Sequence, residues 1–264
     1  MFFSDKIIWI TGASSGIGKA LALELSNQNA KLILSSRKIE DLALVKAACK
    51  NPDHVKIITL DLEDYTSLHP KAGEAIAAFG SIDILVNNGG ISQRSLVKDT
   101  TILVDKRIMD INYLGTVALT KAVLPHFIKN KSGQFVVTTS IVGKIGTPLR
   151  SSYAASKHAL HGFFDSLRAE IHQDNIAVTL VCPGFINTNI SKNALTGNGT
   201  PQQKMDVATE NGIQPERFAK LMLKAIKQRK EEVYISGAKE KLGVYVKRFF
   251  PKIFSKMIQK MSVT

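Results

Sequence analysis

Tyr153 and Lys157 stand four residues apart in a segment, 152–172, whose residues carry good helix signals. Side chains at i and i+4 share one face of a helix. A lysine ammonium beside a buried tyrosine favours the phenolate, so this pairing predicts a phenol pKa below its ordinary value of about 10. Such a phenol suits general acid/base work near neutral pH. A tyrosine and a lysine at this spacing occur by chance on many helices, so the pair needs support. Ser140 gives it: it ends the apolar run Gln134–Thr139, thirteen residues before Tyr153. In open α/β sheets, ligands bind beyond the carboxyl ends of the strands.

A second constellation lies near the N-terminus. The run Lys6–Ile10 leads into Thr11-Gly12-Ala13-Ser14-Ser15-Gly16-Ile17-Gly18, and a helical pattern follows. Glycines let the backbone approach a pyrophosphate closely. A helix N-terminus offers it unpaired N–H groups and a partial positive charge. A Gly-rich turn alone is weak evidence, but a strand before it and a helix after it supply the confirming context. The next strand ends at Ser36, followed by Arg37 and Lys38. An acid there would bind a ribose 2′-hydroxyl, whereas an arginine meets a 2′-phosphate with a fork of donors. Ser36 and Arg37 therefore predict NADP(H) over NAD(H). The blander reading makes Arg37 a solvated loop charge.

The elements that must position these residues alternate. Apolar runs at 6–10, 31–36, 55–60, 82–87, 133–139, 176–182 and 232–236 are rich in Ile, Val and Leu and read as strands buried on both faces. Helical patterns separate them, which predicts an α/β fold with a seven-stranded parallel sheet flanked by helices, one doubly wound Rossmann-type domain over 1–237. Region 185–213 is irregular and rich in Asn, Thr and Gly, the character of a functional lid. Residues 238–264 form a basic amphipathic extension, with Pro251 dividing it into two helical pieces.

Composition bounds the function. The chain has 264 residues, 44% hydrophobic and 22% charged, as expected of a globular enzyme-sized domain. Its two cysteines, Cys49 and Cys182, form no C-x-x-C pair; this argues against a disulfide framework or a cysteine zinc site and favours a reducing, cytoplasmic compartment. No run approaches 18 apolar residues, and the short stretch before the first strand leaves no room for a secretory signal. The net charge is +13, yet seven Lys/Arg and the single acid Glu240 lie in 239–264. No nucleic-acid-binding motif accompanies this charge, so nucleic acid is not an expected partner.

Taken together, the motifs resemble the short-chain dehydrogenase/reductase family. They are Thr11-Gly12-x-x-x-Gly16-x-Gly18, Asp61-Leu62, Asn87-Asn-Gly-Gly90, Asn112, Ser140, Tyr153-x-x-x-Lys157, and Pro183-Gly184 with Thr188, in the family's order. Stretches 87–96, 112–117 and 155–160 further resemble its dehydrogenase/reductase member 7 group. That group is associated with hydrophobic carbonyls such as steroids and retinoids, often at membranes.

The resemblance implies an oxidoreductase that moves a hydride between nicotinamide and a carbonyl or alcohol. It assigns Tyr153 the proton, Lys157 the nicotinamide ribose, Ser140 the substrate oxygen, and Asn112 a water in a proton relay. It assigns Asp61 and Leu62 to the adenine. Asn87, Gly89, Pro183 and Gly184 would shape the cofactor cleft, while Ile186 and Thr188 would meet the carboxamide. It also implies a homodimer or homotetramer through helices near 113–130 and 152–172. One departure is visible: Gly90 stands where the family usually has alanine.

Other residues attract blander readings. His158 would point off the catalytic face, and Cys182 reads as a core residue. His126 and His161 lack metal-ligand partners at useful spacing, and Asp61, Glu63 and Asp64 read as a turn, so no metal site is expected. In the extension, Ile253, Phe254, Met257, Ile258 and Met261 share one helical face. That face either packs on protein or lies in a membrane interface, its lysines meeting anionic lipid, a peripheral contact. Two other functions stand beside the hydrophobic-carbonyl reading: a reductase of 3-ketoacyl or small polar carbonyls, and a catalytically silent dinucleotide-binding scaffold.

Overall fold

The computed structural model describes residues 2–260. Seven strands are present: β1 (Ile7–Thr11), β2 (Lys31–Ser35), β3 (Val55–Ile57), β4 (Ile84–Asn87), β5 (Gly133–Thr138), β6 (Ile176–Pro183) and β7 (Glu232–Ile235). They pair in parallel in the order β3-β2-β1-β4-β5-β6-β7. The order reverses between β1 and β4, which opens a crevice beyond their carboxyl ends.

The helices are α1 (Gly16–Asn27), α2 (Ile39–Ala47), α3 (Tyr65–Phe79), α4 (Ile102–Met109), α5 (Gly115–Asn130), α6 (Ser151–Glu170), α7 (Val207–Glu210), α8 (Pro215–Lys227), α9 (Ala238–Phe249) and α10 (Pro251–Ile258). Period-two alternation in the strands feeds two apolar layers. On one face Ile8, Ile10, Leu32 and Leu34 pack with Leu21 and Leu25 of α1 and with Phe218 and Met222 of α8. On the other, Trp9, Leu85, Phe135 and Val137 pack with Leu119, Phe127, Leu160 and Phe164 of α5 and α6. Trp9 is fully buried, and its Nε1–H donates to Ser35 Oγ at 2.8 Å, so the ring leaves no unmatched polar atom.

The expected strand 55–60 stops at Ile57. Beyond it only one side of the chain stays bonded, through Ile58 N to Leu34 O and Leu60 N to Ser36 O, as the chain leaves the sheet margin. Segment 185–213 has little regular structure, as its composition predicts, but it contains α7 and isolated bridges Ile186–Ile213 and Gln93–Leu195. Pro251 does divide the extension into two helices. Among the described residues no helix is long and apolar enough to cross a membrane.

Candidate active site

The N-terminus of α1 faces the crevice. Gly12 and Gly16 adopt φ of +64° and +50°, a region costly for other residues. Gly18 has ordinary φ, but a Cβ there would fall 2.2 Å from the Gly12 carbonyl oxygen. Ser15 caps the helix without a side-chain hydrogen bond, so the first-turn N–H groups are open toward the crevice. Ser14 and Ile17 are half-buried beside it. A glycine cradle under free N–H donors fits a pyrophosphate.

The rest of this wall is backbone held by side chains. Thr11 Oγ1 accepts from the N–H groups of Asn88 and Gly89, both at 3.0 Å, and Asn88 Nδ2 donates to Thr11 O at 3.1 Å. Asn88 thus ties the end of β4 to the Gly-rich turn. Its neighbour Asn87 donates to Thr120 Oγ1 at 3.0 Å, while its buried Oδ1 has no partner among the described residues. Leu62 lies against Gly89, where a Cβ would come within 2.7 Å of its Cδ1, and Asp61 Oδ1 accepts from Glu63 N. Across the crevice, Pro183 and Gly184 bond to Ile235, Ile186 is buried, and Thr188 closes over Gly16. Ser36 is half-buried at the end of β2. Arg37 beside it is exposed and makes no ion pair with any described residue.

Ser140, Tyr153 and Lys157 meet beyond the carboxyl end of β5. Ser140 Oγ accepts from Val142 N at 3.1 Å, and the Ser140 side chain lies close enough to the Tyr153 phenol to pull its pKa down. Lys157 Nζ donates to Thr138 O at 2.8 Å and lies 5.8 Å from the Tyr153 ring centre. Burial pushes the lysine down to about 8. The expected depression of the Tyr153 pKa is not what the protein alone produces. Burial pushes the phenol up, and it outweighs the Ser140 hydroxyl and the Arg150 and Arg94 guanidiniums, which pull it down. The physical reason is that Lys157 points its ammonium at a carbonyl rather than at the phenol.

Asn112 sits in a wide π-turn, Asp110–Leu114, between α4 and α5. Its Oδ1 accepts from Ile91 N at 2.8 Å, and its Nδ2 donates to Ile91 O and Ser156 Oγ. It therefore clamps the segment after β4 to α6. Gly90 fits here for a reason: a Cβ would come within 3.0 Å of Asn112 Oδ1.

Sequence reasoning missed a buried charge cluster. Arg94 Nε donates to Asp206 Oδ2 at 2.8 Å, and Arg150 Nη2 reaches the same oxygen at 3.5 Å. All three side chains are under 7% exposed. Gln93, fully buried, accepts from Ser152 N at 2.9 Å and so caps α6 just ahead of Tyr153. The cluster fastens segment 185–213 to the catalytic helix. No motif signals it, since its members lie 56 and 112 residues apart.

The remaining candidates fall behind the site. His158 Nδ1 bonds Ala154 O at 2.8 Å, a structural role. The fold brings His161, Cys182 and Glu232 within 4.8 Å of one another, which linear spacing could not foresee. Lys144 already holds Glu232 at 2.7 Å, and the Glu232 carboxyl lies at about 2 because His161, Lys144 and Tyr234 together outweigh its burial. Burial pushes the Cys182 thiol up to about 12, so it is a neutral core group.

The fold, the glycine cradle and the Ser–Tyr–Lys grouping define a class. The chain belongs to the short-chain dehydrogenase family, whose profile matches residues 6–199, and it is an oxidoreductase built on a dinucleotide-binding fold. Its relatives narrow the group. It is 43% identical over 263 residues to a dehydrogenase/reductase SDR family protein 7-like of Anopheles gambiae, covering 97% of this chain and 83% of that protein. It is 41% identical over 262 residues to dehydrogenase/reductase SDR family member 7B of Xenopus tropicalis, covering 96% and 84%. Among solved structures, a short-chain dehydrogenase/reductase from Burkholderia phymatum in complex with NAD matches with a TM-score of 0.85, at 20% identity and over 96% of both chains. That likeness concerns the fold.

Proposed function

We propose that the protein is an NADP(H)-dependent oxidoreductase of hydrophobic carbonyls or alcohols, steroid-, retinoid- or lipid-like. The observation that carries the reading is the meeting of Ser140, Tyr153 and Lys157 beside the open N-terminus of α1. Gly12, Ser14, Ser15, Gly16, Ile17 and Gly18 hold the pyrophosphate. Ser36 and Arg37 hold the adenosine ribose phosphate, and Asp61 and Leu62 flank the adenine. Asn87, Gly89, Pro183, Gly184, Ile186 and Thr188 line the nicotinamide end.

The bound cofactor supplies or takes up the hydride at C4 of its nicotinamide. In the reducing direction, Ser140 donates a hydrogen bond to the carbonyl oxygen and Tyr153 gives that oxygen its proton. Lys157 holds the nicotinamide ribose, and from there its charge lowers the barrier to ionising Tyr153. Asn112 positions the relay that returns the proton.

The apolar substrate class has a second support. Leu96, Val97, Ile102 and Leu103 on one segment, and Ile190 and Val207 on the segment bonded to it, are exposed. These two segments bond through Thr101 N to Gly197 O and Arg94 N to Leu195 O. A rim of large apolar side chains suits a lipid-like ligand.

The extension adds a peripheral contact with anionic lipid. The face read from its sequence divides: Phe254 turns inward onto Ile141, Ile145 and Cys182, while Ile253 and Met257 stay outside, and Met261 lies outside the described residues. Leu242, Tyr245, Phe249 and Phe250 join the outer ridge, among lysines and with no outward acid, since Glu240 turns inward. Pelleting with anionic vesicles should fall when Phe249, Phe250 and Ile253 become serine, and unchanged pelleting would refute this contact. The protein acts in the cytoplasm at such a surface, as a homodimer or homotetramer through 113–130 and 152–172, which its solution mass tests.

The reaction is tested by NADPH oxidation against a ladder of carbonyls, from small ketones through 3-ketoacyl thioesters to retinal and ketosteroids. Turnover is expected on the large apolar rungs, falling about 100- to 10,000-fold in Tyr153→Phe. Turnover confined to thioesters would replace the substrate class. Tight NADPH binding without turnover on any rung would favour a silent binding protein.

A further inference from the structure

The extension ties to the Pro183–Thr188 turn through the carboxylate of one side chain. Glu240, in the first turn of α9, is the only acid among residues 239–264. Its Oε1 accepts from Phe185 N at 2.9 Å, and its Oε2 accepts from Gly237 N. Phe185 belongs to the turn Pro183–Thr188, which forms the wall opposite the Gly-rich turn. Gly184 is pressed against the same carboxylate: a Cβ there would lie 2.4 Å from Glu240 Oε1 and 2.6 Å from Ser236 Cβ. On its far side, the Phe185 ring lies 5.5 Å under the Arg150 guanidinium, and Arg150 immediately precedes α6 and Tyr153. The Phe185 carbonyl is held separately, by Ile213 N at 2.9 Å. Gly184 N also donates to Ile235 O of β7 at 3.0 Å, so the body of the fold holds the turn at Gly184 N, at the Phe185 ring and at the Phe185 carbonyl, and Glu240 adds the tie at the Phe185 N–H from the extension.

We infer that Glu240 is a positioning residue for the cofactor: it fixes the Pro183–Phe185 turn so that the extension completes the nicotinamide end of the cleft. The proposal rests on the reading of that turn as a cofactor wall. A carboxylate accepting a backbone N–H is a strong, directional tie. Losing it loosens the turn at the Phe185 N–H without removing any group that touches substrate.

The test is NADPH titration by calorimetry on the full chain, beside steady-state kinetics. Glu240→Ala should raise the NADPH Kd and KM about tenfold, with kcat within about twofold and the carbonyl KM unchanged. Glu240→Asp, too short to reach Phe185 but still an acid in the first turn of α9, should shift Kd in the same direction and serves if the alanine variant does not fold. Glu240→Gln keeps a carbonyl oxygen at full reach and should restore most of the affinity. A purely structural role would lower the folded fraction, and so the apparent kcat, with Kd unmoved. Wild-type Kd in both Ala and Asp variants, or equal weakening in Gln and Ala, would overturn the proposal. Failure of the wild-type protein to bind NADPH would instead sink the cofactor reading beneath it.

Discussion

Two walls of the site are built by opposite means. The Gly-rich wall is backbone: Gly12, Gly16, Gly18 and Gly89 leave no room for a Cβ, and Thr11 and Asn88 hold the two turns together. The wall behind the catalytic helix is buried charge: Arg94 and Arg150, from two distant segments, share one carboxylate oxygen of Asp206, from a third. Backbone walls tolerate almost no added volume, whereas charge walls tolerate volume but not a lost partner. Each wall therefore has its own point of failure.

The sharpest break in the backbone wall is Gly18→Ala. Its Cβ would meet a backbone oxygen, which no rotamer change relieves. NADPH affinity should drop about 100-fold, roughly 2.7 kcal/mol, read by calorimetry. An unchanged Kd would mean the turn is not a phosphate cradle.

In the charge wall, Asp206→Asn leaves two buried guanidiniums sharing a neutral amide. Urea unfolding should show a loss of about 3 kcal/mol. The carbonyl KM should rise while NADPH binding holds, and equal damage to both ligands would erase the contrast between the walls.

Arg37→Ala tests the cofactor wall at its exposed end. A charge-assisted contact predicts about tenfold weaker NADPH and unaltered NADH. Unchanged NADPH affinity would make Arg37 a solvated charge, and parallel loss of both cofactors would remove its role in choosing between them.

The smallest effect joins the two walls. The unfolded chain keeps the Lys157 proton up to about its ordinary 10.5, while the folded chain releases it near 8. Between these values the unfolded state binds more protons, so stability rises with pH, by about 1 kcal/mol from pH 8 to 9. Lys157→Met should flatten that rise in denaturation curves, and an identical slope in both proteins would refute the burial assignment.

The same contrast decides what could be read from the chain. The strands declared themselves through Ile, Val and Leu runs, and Pro251 marked its hinge. The Gly-rich turn and the Tyr153–Lys157 pair are local in sequence, so they were legible before folding. The arginines were not, because only the fold brings residues 94, 150 and 206 together. Tyr153's acidity was misjudged for a related reason. It depends on burial and on where Lys157 points, and neither is a property of spacing. Glu240 looked like a stray acid in a basic stretch until its reach to Phe185 was visible.

The order of the sheet also governs how the molecule is made. Ile8 of β1 pairs with Leu32 on one side and with Ile84 on the other. As the chain leaves the ribosome, β1, β2 and β3 can assemble early. The second edge of β1 then stands unpaired, with Trp9 and its apolar neighbours uncovered, until residues 84–87 emerge. Non-local parallel pairing of this kind is intrinsically slow, and an open apolar edge invites association with other chains. The nascent protein therefore passes through a window in which the strand that later anchors the whole crevice is open to association.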